Sequence, residues 1–584
     1  MDTSEAAFEA DVELDGAALL RHESRQRHDR AQKAAEVAKG GIEIPRSPII
    51  EGLEDGETSP LLSRRRDDDR RPSRLLQEDF SNLPWFKRPN IFWVLGPFFL
   101  VACAFGGVIT PKLNLILDLI CKQYISERQM MDPGFTMIPV DFNNGDNDQC
   151  RIPEVQSRVA QFTLWGSLIA GLLSAITSPK LGALSDRYGR KPILVFTSVG
   201  TIIGEIITIY AATNPETFPV NVLLVSYAVD GLTGSFIVAM AIANSYATDC
   251  TPPAQRNVAF GYFHGCLFSG IAIGPIVAGY FVKKTGQIVT VFYVLLGVHT
   301  FFVIFISLFV PESLSKKRQL LAREKYNHLY ERTGAAADWI STLNLLQPLK
   351  VLWPTGPGSS SALRRNLFFL AAIDTIVFGV AMGSLTVIII YTNYMFGWKS
   401  FESGRFLSIV NASRVFGLVV VMPILTRLVR GKPDKQNPVK NTGSDTFDLS
   451  IIRFSVFVDT LGYLGYTLAR TGPMMILSGV VAALGGMGAP TLQSSLTKHV
   501  PSDQTGQLLG ASGLLHALAR VVAPTVFNAI YAATVGKFTQ TVFVCLAATF
   551  GLAFLITWAL KTNSKHRLKS FVVAASLLTL LSIL

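Results

Sequence analysis

The 584-residue chain carries 53 lysine and arginine against 42 aspartate and glutamate residues, a formal charge of +11, yet 49% of it is hydrophobic and only 16% charged. That balance excludes an ordinary soluble chain of this length. The basic residues sit mainly in tails and in loops between apolar runs, which membrane orientation explains better than nucleic-acid binding, so no nucleic-acid partner is expected.

Residues 1–88 read as a disordered cytoplasmic tail, with acidic patches, a basic run at Arg64–Arg66, Arg70 and Arg71, and almost no aromatics before Phe80. No secretory signal opens the chain, so the first hydrophobic helix is expected to act as an internal signal. An acidic residue stands four positions ahead of a leucine pair twice: Asp15 before Leu19 and Leu20, and Glu57 before Leu61 and Leu62. Both resemble acidic dileucine signals read by sorting adaptors, which favours a vacuolar or endosomal membrane over the plasma membrane.

From Asn90 to Leu560 there follow apolar runs of about 20 residues each, the length that spans a bilayer as a helix. Six are expected near 91–119, 155–177, 192–212, 220–247, 258–281 and 288–310. Six more fall near 366–392, 402–426, 450–470, 474–496, 507–533 and 539–560. The predicted fold is an all-α membrane protein with twelve transmembrane helices in two six-helix pseudo-repeats, at 89–310 and 366–560. A cytoplasmic linker at 311–365 joins them, and a basic then apolar tail follows at 561–584. The apolar end, Phe571–Leu584, is too short to count as another span.

Charge sets the expected orientation. With the N-terminus inside, the inner loops hold Lys180, Arg187, Arg190, Lys191, the linker cluster Lys316–Arg318, and Arg427, Arg430, Lys432, Lys435 and Lys440. The outer loops are sparse. The first outer loop contains Cys121 and Cys150, for which a disulfide and two free thiols both stay open. Cys103, Cys266 and Cys545 lie in apolar runs and read as packing residues. No spacing suggests a metal site, and no cofactor is expected.

The stretch Gly182–Pro192, GALSDRYGRKP, joins the second and third runs. Gly182 allows a neighbouring helix to approach. Asp186 carries the charge suited to a helix N-terminus, expected to be that of the eleventh run near Gly506. Arg190 is expected to bridge to Asp249 at the end of the fourth run. Arg187, Gly189 and Lys191 complete this candidate inner gate, with Lys191 also readable as a plain positive-inside anchor.

GALSDRYGRKP resembles the signature of the major facilitator superfamily, G-x-L-x-D-R-x-G-R-[RK]-x, at nearly every defined position. The resemblance covers about residues 90–560 and implies alternating access by two helical halves around a central site. GIAIGPIVAGY, from Gly270 to Tyr280, resembles a fifth-helix motif of proton-driven antiporters through Gly270, Gly274, Pro275 and Gly279, with Ala278 replacing a further glycine. Gly231, Gly234, Ser235, Tyr246, Asp249 and Arg256 resemble the branch of tetracycline–proton antiporters and proton-coupled folate transporters. Tyr227 stands where drug–proton antiporters carry an arginine, so coupling through that group is not implied. Pro311–Ser313 matches a common ending of the sixth helix.

Ionisable residues inside spans usually face a cavity or a partner. Asp230, Asp374, His264, Arg414, His516 and Arg520 are the candidate proton and substrate cavity residues, with Asp230 and Asp374 first because the resemblance places their helices along the cavity. Glu205 and Asp459 read as structural ion-pair members, and His299 as unremarkable near a helix end. The sequon Asn411–Ser413 lies in a span and is discounted. The expected protein is a secondary transporter of a small organic solute, coupled to protons with antiport preferred, embedded in a lipid bilayer and acting as a monomer. It is not expected to be an enzyme: no nucleophile motif or catalytic cluster is present. The alternative is a non-transporting sensor built on a transporter fold.

Overall fold

The computed structural model describes residues 84–131, 140, 150, 152–333, 348–355, 360–398, 400–430, 443–535 and 537–561. Both leucine-pair signals, the apolar end Phe571–Leu584 and much of the linker lie outside the described residues.

A bilayer core offers no water to backbone N–H and C=O groups, so apolar runs of this length satisfy themselves as helices. The helices are α1 (Ile91–Met131), α2 (Pro153–Tyr188), α3 (Arg190–Thr213), α4 (Val220–Cys250), α5 (Arg256–Thr285) and α6 (Val289–Leu308). After the polar α7 (Lys316–Thr333) come α8 (Ser361–Phe396), α9 (Glu402–Arg430) and α10 (Thr446–Leu468). They are followed by α11 (Gly472–Lys498), α12 (Thr505–Thr534) and α13 (Thr541–Thr557). Among the described residues 10 helices are long and apolar enough to cross a membrane. To these are added the shorter apolar α13 and α10, which carries Asp448, Arg453 and Asp459.

Three helices are interrupted. α4 breaks at Thr233–Gly234 and restarts at Ser235, α9 contains a π-turn at Gly417–Val421, and α11 a 3-10 turn at Gly485–Met487. Two expected boundaries move. α1 runs on to Met131, because nothing between Asp118 and Met131 breaks a helix. The stretch read as a loop from Gly182 to Pro192 is almost wholly helical, and only Gly189, at φ 101°, separates α2 from α3.

Packing repeats along the chain. In the first set α1 pairs with α5, α2 with α4 and α3 with α6; in the second, α8 pairs with α12, α9 with α11 and α10 with α13. The α1–α5 pair closes backbone to backbone: a Cβ on Gly107 would lie 2.9 Å from the Gly274 carbonyl oxygen. Each set has its own apolar core, one around Phe98, Phe260, Phe263 and Phe302, the other around Tyr391, Tyr466, Phe543 and Phe550. The sets meet where α2 and α4 lie on α12 and where α5 lies on α9 and α11.

Candidate functional site

The densest polar contact across the sets is at the α2–α3 junction. The Asp186 carboxylate accepts from the backbone N–H groups of Gly506 (3.0 Å) and Gln507 (2.7 Å), in the first turn of α12. An anion on a helix N-terminus is matched both by unpaired N–H donors and by the helix dipole. The Arg190 guanidinium, wholly buried, pairs with Asp186 at 2.6 Å and with Asp249 at 3.0 Å. Arg318, from α7, reaches the other Asp249 oxygen at 3.4 Å. Close approach is required here: a Cβ on Gly506 would sit 2.6 Å from Asp186 Oδ1, and one on Gly182 would sit 2.9 Å from Gly510 Cα. Ser178 donates to the Gly510 carbonyl at 3.1 Å.

Glu312 caps α3, accepting from the backbone N–H groups of Arg190 (2.9 Å) and Lys191 (3.0 Å). The Gly189 position holds that carboxylate so closely that a Cβ there would collide with it. Arg187 points away from the seam and lies over the Tyr326 ring at 3.9 Å, tying α2 to α7. The Lys191 side chain is half-exposed.

A second polar cluster occupies the corresponding place in the other set. Arg430, at the end of α9, pairs with Asp445 (2.7 Å) and Asp448 (2.8 Å), and Lys498, at the end of α11, pairs with Asp448 at 2.5 Å. Arg430 also donates across the seam to the Ala254 carbonyl and to Asn257 Oδ1 (3.5 Å) at the start of α5. Asn244 and Gln493 bridge α4 and α11 at 2.6 Å. On the same face α5 presents Gly261 and Gly265 to Met422 and Val419 of α9.

Deeper in the spans the charges form three groups. Asp374 pairs with His516 at 2.9 Å, the His516 ring stacks on Phe378 at 4.3 Å between centroids, and the buried His264 lies within the electrostatic reach of both. Lys112 of α1 lies over the Tyr227 ring at 4.7 Å, within the field of Asp230, and Arg520 donates to the Ser235 hydroxyl at 3.3 Å. Arg414 lies over the Phe268 ring at 4.7 Å and faces Asp459 electrostatically.

The fold thus gathers Gly182, Asp186, Arg190 and Asp249 at one seam and Asp374, His516 and His264 at another. Asp230 falls in the group of Lys112 and Tyr227, and Arg414 in a third group with Asp459. His299, expected near a helix end, lies in mid-α6 and pairs with Glu205 at 2.6 Å. Of the fifth-helix motif, Gly270 and Gly274 pack on α1, whereas Gly279 has nothing within 4 Å of its Cβ position. Cys121 and Cys150 are bonded, with Cα atoms 5.5 Å apart, joining the later part of α1 to the approach to α2. The residues that sequence reading passed over are Lys112, Glu312 and the Arg430 cluster. The sequence did contain a signal for Lys112, a lone lysine in the apolar run VITPKLNLILDLI.

A family model described as Major Facilitator Superfamily matches residues 153–524. The chain is 30% identical over 474 residues to the MFS-type transporter avaJ of Aspergillus versicolor, covering 81% of this chain and 88% of that protein. It is 28% identical over 396 residues to the tetracycline resistance protein, class C, of Escherichia coli, covering 66% of this chain and 84% of that one. The crystal structure of the human organic anion transporter MFSD10 (TETRAN) is similar in fold, with a TM-score of 0.58 and 17% identity over 80% of this chain and 100% of that one.

Proposed function

The chain belongs to the Major Facilitator Superfamily, and on that premise we propose that it is a twelve-helix secondary transporter that moves a small organic solute by alternating access. Its halves are α1–α6 and α8–α13, joined by the linker 311–365. The observation that carries this reading is Asp186 seated on first-turn N–H groups of α12. That contact exists only while one end of the seam is closed, so a carrier must make and break it in each cycle. Arg190, Asp249 and Glu312 hold Asp186 and α3 in the closed geometry. Arg187, Lys191, Arg318 and Arg427 surround this end, which the positive-inside rule assigns to the cytoplasm together with the N-terminal tail.

Coupling to protons is assigned to Asp230 and to the Asp374–His516 pair. A carboxylate beside an imidazole can hold or pass a proton at a few ångströms' separation. Antiport is preferred, because Gly270 and Gly274 of the antiporter-like motif make the α1–α5 contact. Within the family we read the chain as resembling the branch of tetracycline–proton antiporters and proton-coupled folate transporters, through Gly231, Gly234, Ser235, Tyr246, Asp249 and Arg256. Tyr227 stands where the drug–proton antiporters carry arginine, and Lys112 supplies a cation over its ring. The carrier acts as a monomer in a vacuolar or endosomal membrane, with Glu57, Leu61 and Leu62 as the adaptor signal.

The test is uptake of a solute panel into vesicles containing the protein, with and without an imposed pH gradient. Flux that follows the gradient is expected, and Asp230→Asn should abolish that dependence. Unchanged dependence in the variant would move the proton site to Asp374. Solute binding without flux would favour the sensor alternative.

A further inference from the structure

Arg414 of α9 touches both helix sets. Its guanidinium lies over the ring of Phe268 of α5, in the first set, at 4.7 Å, and it makes no hydrogen bond or ion pair among the described residues. Phe268 reaches from the first set into an apolar cluster of the second, Leu418, Met422, Ile451 and Met487. Within its own set the Arg414 side chain runs along α11: a Cβ on Gly486 would lie 2.7 Å from its Cγ and 3.2 Å from its Nε. The neighbouring Gly485 meets the carboxylate of Asp459, from α10, so closely that a Cβ there would collide with it. Asp459 is 6% exposed and has no hydrogen bond or ion pair among the described residues, although Arg414 is near enough to act on it electrostatically. The structural ion pair expected at Asp459 is therefore not made in this conformation.

The backbone is irregular where Arg414 sits. The π-turn of α9 starts at Gly417, just after it, and the 3-10 turn of α11 contains both Gly485 and Gly486. The two turns meet, since a Cβ on Gly417 would lie 3.9 Å from Cγ of Met487. Turns of these kinds inside long helices mark places where a helix can shift. A guanidinium stays charged under all ordinary conditions, and a charge in a span needs a partner. While the sets are closed, that partner is the face of the Phe268 ring. Once α5 draws away from α9 the ring leaves with the first set. The carboxylate that shares the field of Arg414 inside the second set is Asp459.

We infer that Arg414 is a positioning residue with two seats: it holds Phe268 across the seam while α5 lies on α9, and pairs with Asp459 inside its own set once the two helices part. Phe268 then stabilises the conformation seen here and Asp459 the opposite one. Gly485 and Gly486 leave room beside α11 for both side chains. That the exchange of seats serves transport rests on the carrier reading above.

The test is the rate of maleimide labelling at Ser178→Cys in the purified full-length protein with its free thiols replaced. Ser178 is buried against the Gly510 carbonyl between α2 and α12, so labelling reports opening of that seam. Phe268→Leu, which keeps apolar bulk without the ring face, should label on the order of fivefold to thirtyfold faster than the parent, the range for a desolvated cation–π contact. Phe268→Tyr, which keeps the face, should label at the parent rate. Adding Asp459→Asn to Phe268→Leu should bring labelling back towards the parent rate, because the second seat has lost its charge. In an Arg414→Gln background Phe268→Leu should change nothing, whereas a plain packing role for Phe268 would survive there. Should Arg414→Gln fail to fold, the other three comparisons decide alone. Parent-rate labelling of Phe268→Leu, equal acceleration in Phe268→Leu and Phe268→Tyr, a double variant as fast as Phe268→Leu, or an effect that survives Arg414→Gln would each overturn the inference. Solute uptake into vesicles separates it from the carrier reading. The stated labelling pattern without uptake of any solute sinks transport and leaves the two seats. Solute uptake with parent-rate labelling of Phe268→Leu does the reverse.

Discussion

Asp186→Asn is the most direct probe of the α2–α12 contact, because it removes a charge and changes hydrogen bonding at constant size. Asp186 accepts three bonds: from Arg190 (2.6 Å) and Gly506 N–H (3.0 Å) at one oxygen, and from Gln507 N–H (2.7 Å) at the other. In either orientation the new amide turns two N–H donors toward a donor. The milder orientation gives up the Gln507 bond and keeps the other two. A bond to a charged group contributes about 1.5–3 kcal/mol, and removing one member of a buried pair costs about 3–5 kcal/mol. Arg190 keeps Asp249 at 3.0 Å, which limits the loss.

We take about 3 kcal/mol for the closed state, which shifts the closed-to-open ratio by roughly a hundredfold. Two assays read it. Initial solute uptake into vesicles should fall about tenfold or more at unchanged protein level, because return through the closed state becomes limiting. Ser178→Cys, placed where Ser178 is buried against Gly510, should resist maleimide with Asp186 intact and react once Asp186 is asparagine. The free thiols Cys103, Cys250, Cys266 and Cys545 would first be replaced. Uptake and labelling equal to the parent's would refute the latch.

Gly510→Val should abolish uptake, since its Cβ would meet the Ser178 carbonyl oxygen at 2.9 Å and Gly182 Cα at 3.1 Å; Gly279→Val, with nothing within 4 Å, should leave uptake unchanged. Cys121→Ser opens a loop of 29 residues' separation, and a lower melting temperature in detergent should report a loss of ~3–4 kcal/mol on the chain-entropy account. His499 lies just beyond α11, and burial lowers its pKa from the ordinary 6.5 to about 4. Above pH 6.5 both folded and unfolded chains hold it neutral, so it contributes nothing. As pH falls from about 6.5 toward 4, the unfolded chain takes up a proton that the folded chain refuses, so stability declines across that window. Melting curves across that window should show the decline, and His499→Gln should flatten it.

The sequence made the helices legible because each apolar run has to close its own hydrogen bonds in lipid, and run length is set by bilayer thickness. It made the first clasp legible because Asp186 and Arg190 lie in one continuous signature. It did not make legible the contacts that join residues far apart in the chain. Glu312 was visible only as part of a common helix ending, although its carboxylate caps α3 from the far side of α6. Arg430, Asp448 and Lys498 are spread over three helices, and each taken alone reads as a positive-inside anchor or a surface acid. His299 was set aside because its place along α6 was misjudged; partnership with Glu205 is a matter of which faces meet. Lys112 was passed over within an apolar run whose hydropathy it barely lowers.

The two seam clusters share a plan with the signs reversed. In the first set the order at the ends of the second, third and fourth helices is Asp186, Arg190, Asp249. In the second set the matching ends carry Arg430, Asp448 and Lys498. Each cluster reaches the start of the fifth helix of the other set: Asp186 the N–H groups of Gly506 and Gln507, Arg430 the carbonyl of Ala254. The helix dipole favours only the first, because an anion suits an N-terminus and a cation does not. Asp186 therefore holds its contact by charge and by hydrogen bonds, while Arg430 holds its own by hydrogen bonds alone against an unfavourable dipole. When the closed end opens, the weaker Arg430 contact should release first and the Asp186 contact should set the barrier.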